Sequence, residues 1–164
     1  DEIIISINPF DENEKKLLCE KISQIIINDK GLNFLIDEKN PFFDTMPNNS
    51  ISLINKKSIS DFSMKISTNI EFQRFRANIY IDGLSAWEER NWIGKIVNIN
   101  NISFVVSDEI SRCSATNLKP STDIVTINLP NQLKKTYDHI NMGLYLVPQQ
   151  NGVISKDDKI IIYD

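Results

Sequence analysis

The 164 residues carry 18 Lys and Arg against 22 Asp and Glu, a net charge of −4, with 41% hydrophobic and 24% charged side chains. That length and mix fit one globular domain with its own core, and they exclude a disordered or membrane-embedded chain. The acidic balance argues against a nucleic acid partner, which needs a basic face, so any anionic ligand must be held by a few placed arginines.

No apolar run approaches the length of a membrane span, and the start at Asp1 shows no basic stretch followed by an apolar one. Beginning without Met, the chain reads as part of a longer protein. Its cysteines are Cys19 and Cys113 and its single histidine is His139. That supply excludes zinc sites built only from Cys and His, and a disulfide framework as well. A reducing compartment follows, so a cytoplasmic location is expected.

In chain order, Glu2 to Ile7 is a short apolar run that predicts a strand, stopped at Asn8-Pro9. Asp11 then opens a helix, with Glu14 three residues later completing a capping-box pattern. Leu18, Ile22, Ile25 and Ile26 fall on one face at helical spacing, and Asn28 to Gly31 ends the helix. Between Asn40 and Ser50 lies a Pro- and Asn-rich loop whose adjacent Phe42 and Phe43 are expected to pack on the core. Ile51 to Ile54 reads as a strand, and Ser58 as the cap of a short helix through Met64. Ala77 to Ile81 alternates into the turn signal Asp82-Gly83.

Lys95 to Ile99 and Ile102 to Ser107 form an expected hairpin across Asn100-Asn101. Thr122 to Ile127 predicts another strand, Pro130 a helix start running through Ile140, and Gly143 to Val147 and Lys159 to Tyr163 the last strands. Many short strands, a few short helices and no regular βαβ alternation predict a mainly β fold, a barrel or rolled sheet.

Cys113 lies in Ser111-Arg112-Cys113-Ser114-Ala115-Thr116. A neighbouring Arg favours the thiolate, the form that ligates soft metals or attacks electrophiles; a buried, inert Cys fits the same letters. Arg74 and Arg76 alternate into a predicted strand, which would point both at one face. There they fork to a phosphate or carboxylate, or pair with Glu71 or Asp82. Trp87 and Trp92 fit a short helix packing two rings on the core, and Glu88-Glu89 read as a solvated face. Cys19 reads as helix packing and His139 as structural or surface.

Together these stretches resemble the MOSC domain, the C-terminal part of molybdenum cofactor sulfurases, and most of all its amidoxime-reducing branch. PFFDTMPNNSISLINKKSISDF, RFRANIYIDGLSAWEERNWIG, SRCSATNLKP, MGLYL and NGVISKDDKI carry the likeness, in order, over roughly residues 41 to 164. It implies a MOSC-like β-barrel over the chain, with a preceding β-rich domain of the branch missing from it. A molybdenum-pterin (molybdopterin) cofactor is implied as well. On this resemblance Cys113 is the catalytic thiolate ligand to molybdenum. Arg76, Asn78, Arg112 and Thr116 line the pterin and its phosphate, and Ser58 stands at the phosphate end. Where the family commonly has Asp-Pro and then Thr-Gly, this chain has Lys119-Pro120 and Thr122-Asp123. The implied function is an oxidoreductase module reducing N-hydroxylated small molecules with electrons from a donor protein. A cofactor carrier or sulfur-relay module would need the same ligands.

Overall fold

The computed structural model describes residues 5–26, 31–36 and 50–163, and the chain divides into two compact units, residues 1–43 and 44–164. In the first, helix α1 spans Glu12–Ile26. Asp11 caps it as expected, its Oδ1 accepting from the N–H of Asn13 at 2.9 Å and of Glu14 at 3.0 Å. The Glu14 carboxylate reaches past Asp11 to the Asn8 N–H, because the Asp11 N–H is already bonded to the Asn8 carbonyl. Residues 5–7 do not form the expected strand. The start of that strand, most of the expected helix end and the Phe42-Phe43 loop lie outside the described residues.

The second unit is a six-stranded sheet. Its strands are β1 (Ile51–Asn55), β2 (Ile79–Ile81), β3 (Ile96–Ile99), β4 (Ile102–Ser111), β5 (Asn141–Pro148) and β6 (Ile160–Tyr163), in the order β2-β1-β5-β4-β3-β6. All neighbours run antiparallel except β1 and β2, whose parallel pairing needs a crossover, supplied by helix α2 (Lys56–Lys65). Helix α3 (Leu129–Tyr137) follows β4 and leads into β5. The sheet curls, so that its edges β2 and β6 line one cavity of about 820 Å³. The expected mainly β, barrel-like architecture is what the chain adopts.

Four local expectations change. Helix α2 is capped by Asn55, whose side chain accepts from the Lys57 N–H at 3.0 Å, so Ser58 falls inside the helix. Residues 122–127 form no strand: a single bridge joins Leu118 to Val125, and Ile124 and Val125 stay exposed, with no strand beside them to pair with. Helix α3 stops at Tyr137 because Asp138 turns left-handed (φ 64°) and donates to the Lys134 carbonyl, which frees Ile140 to lead into β5. The run Phe72–Phe75 is a 3-10 turn, and Arg76 after it is left-handed (φ 49°), so Arg74 and Arg76 do not alternate on a strand.

Strand alternation feeds two cores. Leu53 faces a cluster with Val97, Phe104, Val106, Leu144 and Leu146 inside the curl; its neighbour Ile54 faces Phe62, Phe75, Leu129, Leu133 and Met142 under the helices. Met142 and Leu144 are two apart and should share a face, yet they serve opposite cores. Gly143 between them has φ +85°, and β4 opposite slips its register between Glu109 and Ser111. A Cβ on Gly143 would lie 2.6 Å from both Ile54 Cγ1 and the Leu53 carbonyl. Gly143→Ala should therefore lower stability by about 2–4 kcal/mol, combining left-handed strain with overpacking. A urea titration that leaves the midpoint unchanged would remove this account of the bulge.

Candidate thiol and arginine site

The alternation of β4 continues past its end, burying Ile110 and Arg112 while Ser111 and Cys113 remain exposed. Arg112 is 8% exposed. Its Nε and Nη2 donate to the Met142 carbonyl at 2.8 and 2.6 Å, its Nη1 to the Phe75 carbonyl at 3.0 Å, and the guanidinium lies 5.5 Å from the Phe75 ring. No carboxylate pairs with it among the described residues. Burial draws its pKa down to about 10, partly opposed by Tyr145, Tyr80 and Cys113, so it is charged at neutral pH.

Cys113 precedes the 3-10 turn Ser114–Asn117. Thr116 fixes this corner, its Oγ1 donating to the Cys113 carbonyl at 2.9 Å and its N–H to the same oxygen at 3.2 Å. Asn117, buried, accepts from the Leu129 N–H through Oδ1 at 2.9 Å. Its carbonyl accepts from Arg74 Nη1 at 3.1 Å and the Thr126 N–H at 3.2 Å. Arg74 is ion-paired with Glu71 at 2.6 Å and also donates to Thr126 Oγ1, so its charge is spent inside the fold. The Arg76 guanidinium is exposed and has no partner among the described residues.

Arg76 and the loop 118–123 border a recess of about 750 Å³ whose other lining includes Gln73, Arg74 and Ala115. Cys113 lines neither the recess nor the larger cavity between β2 and β6; the recess takes in Ala115 of the adjoining turn and two arginines, the larger cavity Asn78 and no arginine. The recess beside the Cys113 turn is therefore the better candidate for chemistry. Among the described residues no three His, Cys, Asp or Glu side chains gather to hold a bare metal ion. No helix among the described residues is long and apolar enough to cross a membrane.

The model of the MOSC domain matches residues 42–161, most of the chain and nearly all of its second unit. The chain belongs to the MOSC domain family. Mitochondrial amidoxime reducing component 2 of Rattus norvegicus is 29% identical over 87 residues, which cover 53% of this chain and 25% of that protein. Its Bos taurus counterpart is 25% identical over 113 residues, covering 67% of this chain and 33% of the relative. The chain thus spans a quarter to a third of the length of these relatives. The crystal structure of YiiM from Geobacillus stearothermophilus shares the fold, with a TM-score of 0.53 and 19% identity over 70% of this chain and 54% of that one.

The residues singled out in the sequence of this MOSC domain fall into two groups. Arg76 lines the recess, whereas Arg112, Cys113 and Thr116 do not and adjoin it only through the turn that contributes Ala115. Asn78 stitches β2 to β1: its Oδ1 accepts from the Ser52 N–H and hydroxyl at 2.9 and 2.8 Å, and its own N–H donates to Ser52 Oγ at 2.9 Å. Ser58 is fully buried, donating to Glu89 Oε1 at 2.6 Å and accepting from the Trp87 N–H at 2.8 Å.

Glu89 overturns the solvated-face reading: it is 1% exposed and also accepts from Asn55 Nδ2 at 2.9 Å. The signal was present, since Glu89 and Trp92 are three apart and a 3-10 turn eclipses such positions, so both point inward. Breaking this network leaves a buried carboxylate short of a donor. Ser58→Ala should cost about 1–3 kcal/mol of stability. Thermal and urea unfolding matching wild type would show that Glu89 does not depend on that hydroxyl.

Proposed function

We propose that this MOSC domain holds a molybdenum-pterin cofactor through Cys113, as part of an oxidoreductase that reduces N-hydroxylated small molecules with electrons from a donor protein. The observation that carries it is an exposed thiol on a locked turn, directly after a buried guanidinium that no carboxylate neutralises among the described residues. The donor set suits the group: a soft thiolate for a soft metal, and positive charge for an anionic pterin. A cofactor that brings its own metal ligands also fits a site with one protein thiol. When bound, it would supply two-electron redox chemistry to the site.

The chain's own residues divide the remaining work. Cys113 anchors, and Thr116 holds its main chain so that the thiol does not wander. Arg112 sets a fixed positive charge next to the thiol in the chain. Arg76 is the free fork, available to a phosphate. Asn78 and Ser58 act through the strands and helix they brace. The names of the two mammalian relatives support the substrate class, and a cytoplasmic setting suits a free thiol.

Cys113→Ser should lose molybdenum while Cys19→Ser keeps it, both remaining folded, as metal analysis and circular dichroism of protein from cofactor-producing cells would record. Equal molybdenum in wild type and Cys113→Ser sinks the assignment. Arg76→Ala should reduce cofactor retention by roughly ten-fold or more, since a charge-assisted fork contributes about 1.5–3 kcal/mol. Unchanged retention would leave Arg76 without a role in holding the cofactor.

A further inference from the structure

Residues 140–142 grip the end of β4 at every step. The Ile140 carbonyl accepts from the Arg112 N–H at 3.0 Å, and the Met142 carbonyl accepts from the Arg112 side chain. Asn141, between them, pairs with Ser111 across the strands and accepts from its hydroxyl at 2.8 Å through Oδ1. Its amide nitrogen donates to Glu109 Oε2 at 2.6 Å, and Glu109 is in turn paired with Arg90. Cys113 follows directly on Ser111 and Arg112, the two residues so held. His139 stands at the head of this grip, just after the left-handed Asp138 (φ 64°).

The His139 ring is set among donors. Its Nε2 lies 3.0 Å from Arg90 Nη1, and its Nδ1 faces the Asn141 N–H at 3.2 Å. A guanidinium and a main-chain N–H can only donate. A neutral imidazole has one bare nitrogen and can accept one of these bonds; an imidazolium has none and can accept neither. Two rings fix the imidazole in this place. Tyr137 of α3 stacks on it, with centroids 5.7 Å and planes 16° apart, and Trp87 meets it edge-on at 5.7 Å. Both side chains are tied to Asp61 at 2.7 Å, so the clamp on the ring is itself held. Burial and the Arg90 charge keep the His139 pKa below its ordinary value, against the opposing pull of Glu109 on β4 and Asp138 at the end of α3.

We propose that His139 is a proton-operated latch on the strand ends that present Cys113. Neutral, the ring accepts from Arg90 and anchors residues 140–142 against Ser111 and Arg112. Protonated, it sets a second positive charge beside the guanidinium and has no lone pair left for it. Glu109 then has two cations to serve, and its bond to Asn141, which ties β5 to β4, weakens in consequence. The direction in pH follows from the donors around the ring. The folded state disfavours the proton, whereas the unfolded chain takes it up at the ordinary value. Stability supplied by neutral His139 is therefore complete above that ordinary value and is lost as pH falls through the lower, folded one. The latch does not depend on what Cys113 binds.

The chain has a single histidine, so its ring signals stand alone in a proton NMR titration of the 164-residue protein. The ring midpoint is expected below the ordinary 6.5. The amides of Ser111, Arg112, Cys113 and Asn141 should shift with that same midpoint, while the amide of Cys19 in α1 stays still. His139→Gln keeps an acceptor for Arg90 without titrating, so those amide shifts should vanish over the same range. Arg90→Gln should raise the ring midpoint, because the facing charge is gone. The urea midpoint of wild type should fall with pH through this window, and that of His139→Gln should fall less. A ring midpoint at or above 6.5, or amides at 111–113 that do not follow the ring, overturns the proposal. So does an Arg90→Gln midpoint equal to wild type, which decides the matter should His139→Gln not fold.

Discussion

A guanidinium enclosed at the end of a strand, with no carboxylate beside it, must satisfy its N–H groups on main-chain carbonyls. Arg112 does so on Met142 and Phe75, and the rest of the site hangs on those bonds. The Met142 carbonyl lies at the start of β5, the residue before the Gly143 bulge. The Phe75 carbonyl ends the 3-10 turn that delivers Arg76. One side chain thus joins the exit of β4, the entry of β5 and the crossover between β1 and β2. Leaving a buried charge without such partners would cost several kcal/mol, so these bonds are a condition of folding as well as of the site.

The same bonds explain why the bulge at Gly143 is tolerated. A sheet that fed only one core would keep Met142 and Leu144 on one face, and the helices would have no floor. Reversing the alternation at Gly143 gives α2 and α3 an apolar seat while the inner face of the curl stays filled. The cost is close approach of main chains, with Leu53, Ile54 and Arg112 all crowding the place where a Cβ would stand. Only glycine fits there, and the strand that carries it is the one Arg112 grips.

Sequence periodicity read the large elements well because it reports burial. The hairpin of β3 and β4, the strand β1 and the helix α1 follow from apolar spacing and, for α1, from the Asp11 cap. It failed where a neighbour distant in sequence decided the matter. Ser58 looked like a helix cap, but Asn55 takes that role and Glu89, 31 residues on, takes the Ser58 hydroxyl. Residues 122–127 have strand composition, yet no sheet edge accepts them. Arg74 and Arg76 were legible as candidates; that one would be consumed by Glu71 and the other left free was not, because a left-handed Arg76 is invisible to a period-2 pattern. The MOSC resemblance supplied Cys113, and the structure supplied the reason that its corner is rigid.

That rigidity separates the two cysteines. Cys19 is a half-exposed side chain within α1, bordered by the ordinary hydrogen bonding of a helix. Cys113 is exposed, but its carbonyl and the residues on either side of it are tied. Its carbonyl is bonded twice by Thr116, the preceding N–H of Arg112 is bonded to Ile140, and Asn117 at the far end of the turn is held by Arg74. An exposed thiol on a flexible loop would oxidise or ligate indiscriminately; a braced corner fixes the direction from which the sulfur is met. Selectivity at such a corner resides in the scaffold that holds it rather than in the sulfur alone.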